Sequence, residues 1–207
     1  MKLFIKQPLK VSPIGRETKV LALVTGKVAK REKSKKILDM GTGTGYIAIY
    51  LAKLGFEVDA VDIDKEAVKT AKENAQTNKV KINAFVSDLF KNVKRTYDII
   101  TFNPPTGNIS NIKTINFIKS LIKRKEFFRK VMGPTAHFLT KGGTLELVKE
   151  FVLEGKKHLN KKGKLLFYVN EVDIPKFKKF VEEKLREYKF FIIREKEKQI
   201  IELTKIN

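Results

Sequence analysis

Ile37-Leu38-Asp39-Met40-Gly41-Thr42-Gly43-Thr44-Gly45-Tyr46 is an apolar run that ends in alternating glycines and passes into a helical pattern from Tyr46 to Leu54. Glycines in such a turn admit backbone angles that other residues avoid, and they let the chain pass close to a ligand. The helix that follows would aim its N-terminal amides at that ligand. Strand, glycine turn and helix in this order make the nucleotide-binding corner of a doubly wound α/β fold. The spacing narrows the choice. A dinucleotide fingerprint requires a glycine where Tyr46 stands. A phosphate loop requires Gly-Lys-Ser/Thr at its end, and Gly45-Tyr46-Ile47 does not supply it.

What remains, acid-x-Gly-x-Gly-x-Gly, resembles motif I of the class I S-adenosylmethionine (SAM) methyltransferases. SAM has no pyrophosphate, so the turn need only pass beneath an adenosine and a methionine tail. That resemblance implies a cofactor set of Asp39, Gly41, Thr42, Gly43, Gly45, Asp62, Ile63, Asp88, Leu89 and Asn103. The residues that follow motif I fit this order. Glu57 to Asp62 reads as the second strand, and an acid at its end can accept hydrogen bonds from both ribose hydroxyls. A strand-end Asp can also cap a helix, but Asp64 fits the cap better because the helix Lys65 to Asn78 starts directly after it. Ile82 to Val86 is a short third strand leading to Ser87-Asp88-Leu89-Phe90. Asp88 stands where class I methyltransferases often place an acid or amide against the adenine amino group, with Leu89 beside the ring; a cap or turn is its other reading.

Tyr97 to Phe102 is the fourth strand, apolar as a doubly covered parallel strand is. Asn103-Pro104-Pro105-Thr106 falls at its carboxyl end, in the crevice where such sheets bind ligands. The residue types suit methyl transfer to an amide or aromatic amine, whose nitrogen lone pair is delocalised and a poor nucleophile. The Asn103 side-chain carbonyl and the Pro104 backbone carbonyl can accept hydrogen bonds from its two N–H groups, favouring a pyramidal nitrogen. Pro105 locks the turn. No charged base or metal is required.

Motif I paired with Asn103-Pro104-Pro105 resembles the amino-methyltransferases that carry Asn-Pro-Pro-Tyr, and within them the HemK-like protein-(glutamine-N5) methyltransferases of release factors. Pro13-Ile14-Gly15-Arg16-Glu17-Thr18 looks like the Pro-Arg-Pro-Glu-Thr segment of that family. Gly142-Gly143-Thr144-Leu145-Glu146-Leu147 and the following Leu159 to Leu166 resemble its Gly-Gly-x-Asp-Gly-Leu stretch and helix–turn–strand. Two departures stand out. Thr106 replaces the aromatic residue that would stack on a flat substrate, and the Gly-Gly segment lacks Asp-Gly. The resemblance implies catalytic roles for Asn103, Pro104, Pro105 and Thr106. It leaves two acceptors open: a release-factor glutamine, or an exocyclic amine of ribosomal or transfer RNA. A non-catalytic RNA-binding or activator subunit that kept the fold is the reading from another class.

Composition bounds the rest. A chain of 207 residues with 42% hydrophobic residues and 15 Phe is expected to form one domain with a real core. With no Cys and two isolated His, neither disulfides nor a zinc centre is expected. There is no signal-peptide pattern and no membrane-length apolar run, so the expected setting is cytoplasmic. Lys and Arg number 44 against 23 Asp and Glu, a net charge of +21. That excess reads either as solvated surface charge or as an electrostatic footprint for a polyanion.

Residues 1–35 form an N-terminal extension: an extended start around the prolines, then an apolar helix through Val20, Leu21, Leu23, Val24 and Val28 expected across the SAM end of the sheet. Residues 107–141 form a substrate-side insertion; Asn111 to Lys130 holds seven Lys or Arg and one Glu among apolar residues at helical spacing. His137 and His158 read as surface or packing residues. Lys164 to Asn170, Pro175 to Tyr188, then Phe190 to Arg194 and Gln199 to Leu203 read as strand, helix and a closing antiparallel pair. The whole predicts a Rossmann-like, doubly wound, seven-stranded, mostly parallel sheet with one antiparallel strand near the C-terminus.

Overall fold

The computed structural model describes residues 1–8, 11, 14–105 and 144–206. Helix α1 (Arg16–Arg31) precedes an alternation of β1 (Lys36–Met40), α2 (Tyr46–Lys53), β2 (Glu57–Asp62), α3 (Lys65–Thr77), β3 (Asn83–Val86) and β4 (Tyr97–Phe102). Then come α4 (Thr144–Gly155), β5 (Leu159–Tyr168), α5 (Ile174–Lys184), β6 (Tyr188–Glu195) and β7 (Lys198–Lys205). Among the described residues one sheet holds seven strands, in the order β3-β2-β1-β4-β5-β7-β6. Strands β1 to β5 run parallel, and β7 inserts antiparallel to both β5 and β6. The expected sheet is therefore the observed one, including its single inverted strand.

Both faces are covered, which is why the strands carry near-continuous apolar runs. Successive residues alternate between two cores. Leu38, Ile100, Leu165 and Phe167 face one core with Val148, Phe151 and Phe177 of α4 and α5. Ile37, Ile99, Leu166 and Ile200 face the other with Leu21 and Val24 of α1 and Leu51 of α2. In the first core Phe102, Phe151, Phe167 and Phe177 make a continuous aromatic column, with successive ring centroids 4.8, 5.6 and 5.4 Å apart.

Several boundaries and one helix placement differ from the sequence reading. Strand β5 starts five residues earlier than Lys164, because Leu159 pairs with Tyr97 before a register irregularity hands the ladder to Ile99 and Lys164. Helix α5 stops at Lys184, ahead of the expected Tyr188, because Tyr188 already pairs with Lys205 and buries its ring as β6 begins. The hairpin strands extend inward to a two-residue turn at Lys196 and Glu197, both at positive φ (46° and 64°), the mirror-image geometry that suits a hairpin. Helix α1 lies on the face of the sheet against α2, β4, β5 and β7 instead of across its end. Its first turn reaches the carboxyl tip of β4 at Thr18.

The order of the sheet sets the site. The chain goes from β1 outward to β2 and β3, then crosses over to β4 on the other side of β1, so a crevice opens between β1 and β4. Met40 pairs with Phe102, so Gly41 and Asn103 leave the sheet side by side. Asp62 pairs with Val86, which puts Ser87 and Asp88 next along the same rim.

Candidate active site

Gly41, Gly43 and Gly45 all take positive φ, at 64°, 54° and 82°. At Gly45 a second demand is added. A Cβ there would stand 3.0 Å from the Cα of Ala71, so glycine is also what lets α2 and α3 close together. A Cβ at Gly43 would meet only Val11, at 3.8 Å, which leaves room above the loop.

Asp39 organises that loop from below. Its Oδ2 accepts the Thr42 hydroxyl at 2.7 Å and the Ala48 amide of α2 at 3.1 Å. Its Oδ1 is buried without a partner. Burial pushes the Asp39 carboxyl up to about 7, against the two hydrogen bonds and with a further push from Asp62. Asp62 ties the tip of β2 to the loop: one oxygen accepts the Gly43 amide at 2.9 Å and the other the Asp64 amide at 3.0 Å. Burial raises this carboxyl as well. Asp64, as expected, caps α3 by accepting the Glu66 amide at 3.0 Å. Ile63 is 37% exposed at the rim, an apolar surface beside the acid.

At the tip of β3, Asp88 is half-buried and pairs with Lys91 at 2.6 Å. Leu89 is buried at φ +46°, a conformation that costs a branched side chain roughly 1 kcal/mol. The Ser87 hydroxyl supports it, donating to the Leu89 carbonyl at 2.6 Å and accepting the Asn92 amide at 3.1 Å. Ser87 did not stand out in the sequence; a Ser at a strand end, able to close a local turn, was its only signal.

Asn103 is half-buried at the tip of β4. Its amide donates to the Thr18 hydroxyl at 2.9 Å, and its Oδ1 is buried without a partner. Asp39 Oδ1 and Asn103 Oδ1 are the buried side-chain atoms left unsatisfied among the described residues. Pro104 is buried and Pro105 exposed, and the Pro105 carbonyl accepts the Thr144 hydroxyl of α4 at 3.2 Å. Thr106, His137, Gly142, Gly143 and the 107–141 insertion lie outside the described residues. His158 is a packing residue, its ring 4.8 Å from that of Phe90.

Nothing in the sequence marked Asn74 of α3 or Asn78, four residues on at the helix's C-terminal cap. Asn74 accepts the Lys6 amide at 2.8 Å, donates to the Lys6 carbonyl at 2.9 Å and donates to the carbonyl of Thr44, in the glycine loop, at 2.8 Å. Asn78 brackets Phe4 in the same way, at 3.0 and 2.6 Å. Two side chains thus act as a short strand edge for residues 4–6, and they steady the loop from behind.

Two side-chain oxygens at this rim lack partners among the described residues, Asp39 Oδ1 and Asn103 Oδ1, and beside them stand the carboxylates of Asp62, which accepts two backbone amides, and Asp88, which pairs with Lys91. SAM brings the complement, a sulfonium, an ammonium, ribose hydroxyls and an adenine amino group. The residues present therefore fit that cofactor.

Comparison with known proteins agrees. The family model for the methyltransferase small domain matches residues 18–148. A Methanocaldococcus jannaschii protein, provisionally named a protein N5-glutamine methyltransferase, is 38% identical over 143 residues, covering 66% of this chain and 73% of the relative. The release factor glutamine methyltransferase of Lactococcus lactis is 34% identical over 141 residues; the match covers 67% of this chain and 48% of that relative's length. Among solved structures, a ribosomal protein L11 methylase from Lactobacillus delbrueckii shares the fold at TM-score 0.66 and 20% identity, over 98% of this chain and 86% of that one. Sequence, fold and acceptor-rich rim converge: the chain belongs to the methyltransferase small-domain family and is a SAM-dependent methyltransferase.

Proposed function

We propose that this methyltransferase acts on a planar amide or amino nitrogen, with the side-chain amide of a release-factor glutamine as the leading acceptor. The observation that carries the reading is the buried, unpartnered Oδ1 of Asn103, at the strand tip next to the glycine corner. A buried acceptor left empty costs about 1–3 kcal/mol, so it is retained where a ligand donor fills it. When bound, SAM supplies an electrophilic methyl group on a sulfonium. Asp39, the Gly41–Gly45 turn, Asp62, Ile63, Asp88 and Leu89 would hold it.

Asn103 Oδ1 and the Pro104 carbonyl would each accept one N–H of the target. That fixes the nitrogen and weakens its conjugation as it turns pyramidal. Positioning of this kind lowers barriers by as much as roughly 7–11 kcal/mol in well-oriented reactants. The names of the relatives support glutamine as the acceptor.

The net charge of +21 supports a second acceptor, an exocyclic amine of ribosomal or transfer RNA. Tritiated SAM, given to the enzyme with separated protein and RNA fractions of a deletion strain, decides between them. Label in a release factor is the expected result. Label in RNA alone would end the glutamine reading.

A further inference from the structure

We propose that Thr18 is a positioning residue for the reaction, and that α1 serves as the ruler that aims the Asn103 amide. The proposal rests on the reading of Asn103 as the acceptor of the target N–H. Thr18 and Thr25 lie seven residues apart in α1, two helical turns, and so share one face of the helix. Thr101 and Asn103 lie two residues apart along β4 and its end, and so share one face of the sheet. The two pairs meet in register. Thr25 Oγ1 donates to Thr101 Oγ1 at 3.3 Å in the fully buried middle of the interface, and Asn103 Nδ2 donates to Thr18 Oγ1 at 2.9 Å at the rim.

Ion pairs also join the helix to the β6–β7 hairpin. Arg16, Glu17 and Lys27 pair with Glu197, Lys198 and Glu195 of the β6–β7 hairpin at 3.0, 2.8 and 2.6 Å. The Arg16 and Lys27 pairs are largely exposed and add little to the buried contacts; what fixes the register of Thr18 is the Thr25–Thr101 contact in the core, which leaves its oxygen at the amide of Asn103.

The chemistry needs this partner. An asparagine amide has one acceptor end and one donor end, and only the acceptor end suits a target that arrives with N–H groups. A hydroxyl can take either role, so Thr18 does not choose the orientation alone. It makes the productive one complete: with Nδ2 satisfied by Thr18, Oδ1 is the end left for the target. Removing the hydroxyl would orphan Nδ2 in a half-buried site and release the amide to rotate.

The test uses Thr18→Val, Thr18→Ser, Asn103→Ala and the Thr18→Val/Asn103→Ala double variant. Turnover is measured with tritiated SAM and the accepting fraction of cell extract, and SAM affinity by calorimetry. Thr18→Val should lower turnover roughly 10²-fold at saturating SAM, the scale of a misplaced reacting group, and change the SAM dissociation constant no more than about threefold. Thr18→Ser should restore most of the rate. In the Asn103→Ala background Thr18→Val should cost little more, because it acts only through the missing amide.

Wild-type turnover in Thr18→Val together with a dead Asn103→Ala overturns the role of Thr18 and leaves that of Asn103 intact. Full activity in Asn103→Ala removes both. A Thr18→Val loss that persists undiminished in the Asn103→Ala background marks a general structural role and also overturns the proposal.

Discussion

The two ends of the same central strands bury polar groups and treat them in opposite ways. In the amino-terminal half, Asp59 of β2 accepts the Tyr97 hydroxyl at 2.7 Å, the Asn83 amide at 3.1 Å and Arg95 at 3.4 Å. Asp98 of β4 accepts the amides of Lys35 and Lys36 at 2.7 and 3.0 Å and the Asn160 side chain at 2.7 Å. Burial would raise the Asp98 carboxyl, yet those donors hold it below its ordinary value. At the carboxyl tips, Asp39 and Asn103 each keep one buried oxygen unpartnered. At the amino end the fold supplies donors to both carboxylates. At the other end the two unsatisfied oxygens stand where the proposed cofactor and target nitrogen would bind.

The sharpest way to break the contrast is Asn103→Ala. Turnover should fall on the order of 10²–10³-fold, as when one aligned hydrogen-bonding group is removed from a reacting centre. The SAM dissociation constant, read by calorimetry, should change only a few-fold. Equal losses in binding and rate would mean that the β4 tip serves the cofactor instead of the target.

Asp39 offers the next test, through pH. Its carboxyl is raised to about 7 in the folded protein, against an ordinary value near 4 in the unfolded chain. Between those values the folded state binds more protons than the unfolded one, so this group's contribution to stability is full below about pH 4 and is lost as pH rises through about 7. The loss is on the order of a few kcal/mol. Asp62 is raised by the same cause and adds a slope of the same sign. Denaturant midpoints across that range should fall more steeply in the wild type than in Asp39→Asn, and SAM, with its cationic groups, should bind better as pH rises. Matching slopes in the two proteins would show that Asp39 ionises normally.

At the satisfied end the effect is structural. Asp59→Ala would leave the buried Tyr97 hydroxyl without its acceptor and cost about 2–3 kcal/mol in urea unfolding. SAM affinity and turnover should hold in the folded fraction. A selective loss of activity there would erase the distinction between the two ends.

Much of this was legible in the chain because local chemistry decided it. The glycine spacing, the strand-end Asp62, the Asp64 cap and the Asn-Pro-Pro turn are each contained within a few residues. What escaped reading depends on contacts across long separations. Thr18 meets Asn103 over 85 residues, and Asn74 meets Lys6 over 68. Thr18 ends the segment that resembles the family's Pro-Arg-Pro-Glu-Thr, but neither that motif nor an asparagine in mid-helix says which distant group the side chain meets. The boundaries that moved, at β5 and α5, did so because strand pairing overrode the apolar pattern.

The smallest expected effect sharpens the comparison at the level of the backbone. Lys33 and Lys79 follow α1 and α3 at the amino end, both at φ 54°. Each closes its helix in the same way: Lys33 and Ser34 donate to the carbonyls of Lys30 and Ala29, and Lys79 and Val80 to those of Gln76 and Ala75. That is the pattern in which glycine is favoured at the left-handed position. Lys79→Gly should therefore stabilise the protein by about 0.5–1 kcal/mol, since its side chain is exposed and the relief of strain exceeds the entropy gained by the unfolded chain. Leu89 has the same backbone sign at the opposite end, at φ 46°, but there the side chain is buried beside Phe90 at the rim. Leu89→Gly relieves a similar strain and loses about 2–5 kcal/mol of packing, and it should weaken SAM binding as well. If both glycine variants proved equally stabilising, the strain at Leu89 would have no tie to the site, and the asymmetry between the two ends would reduce to hydrogen bonding alone.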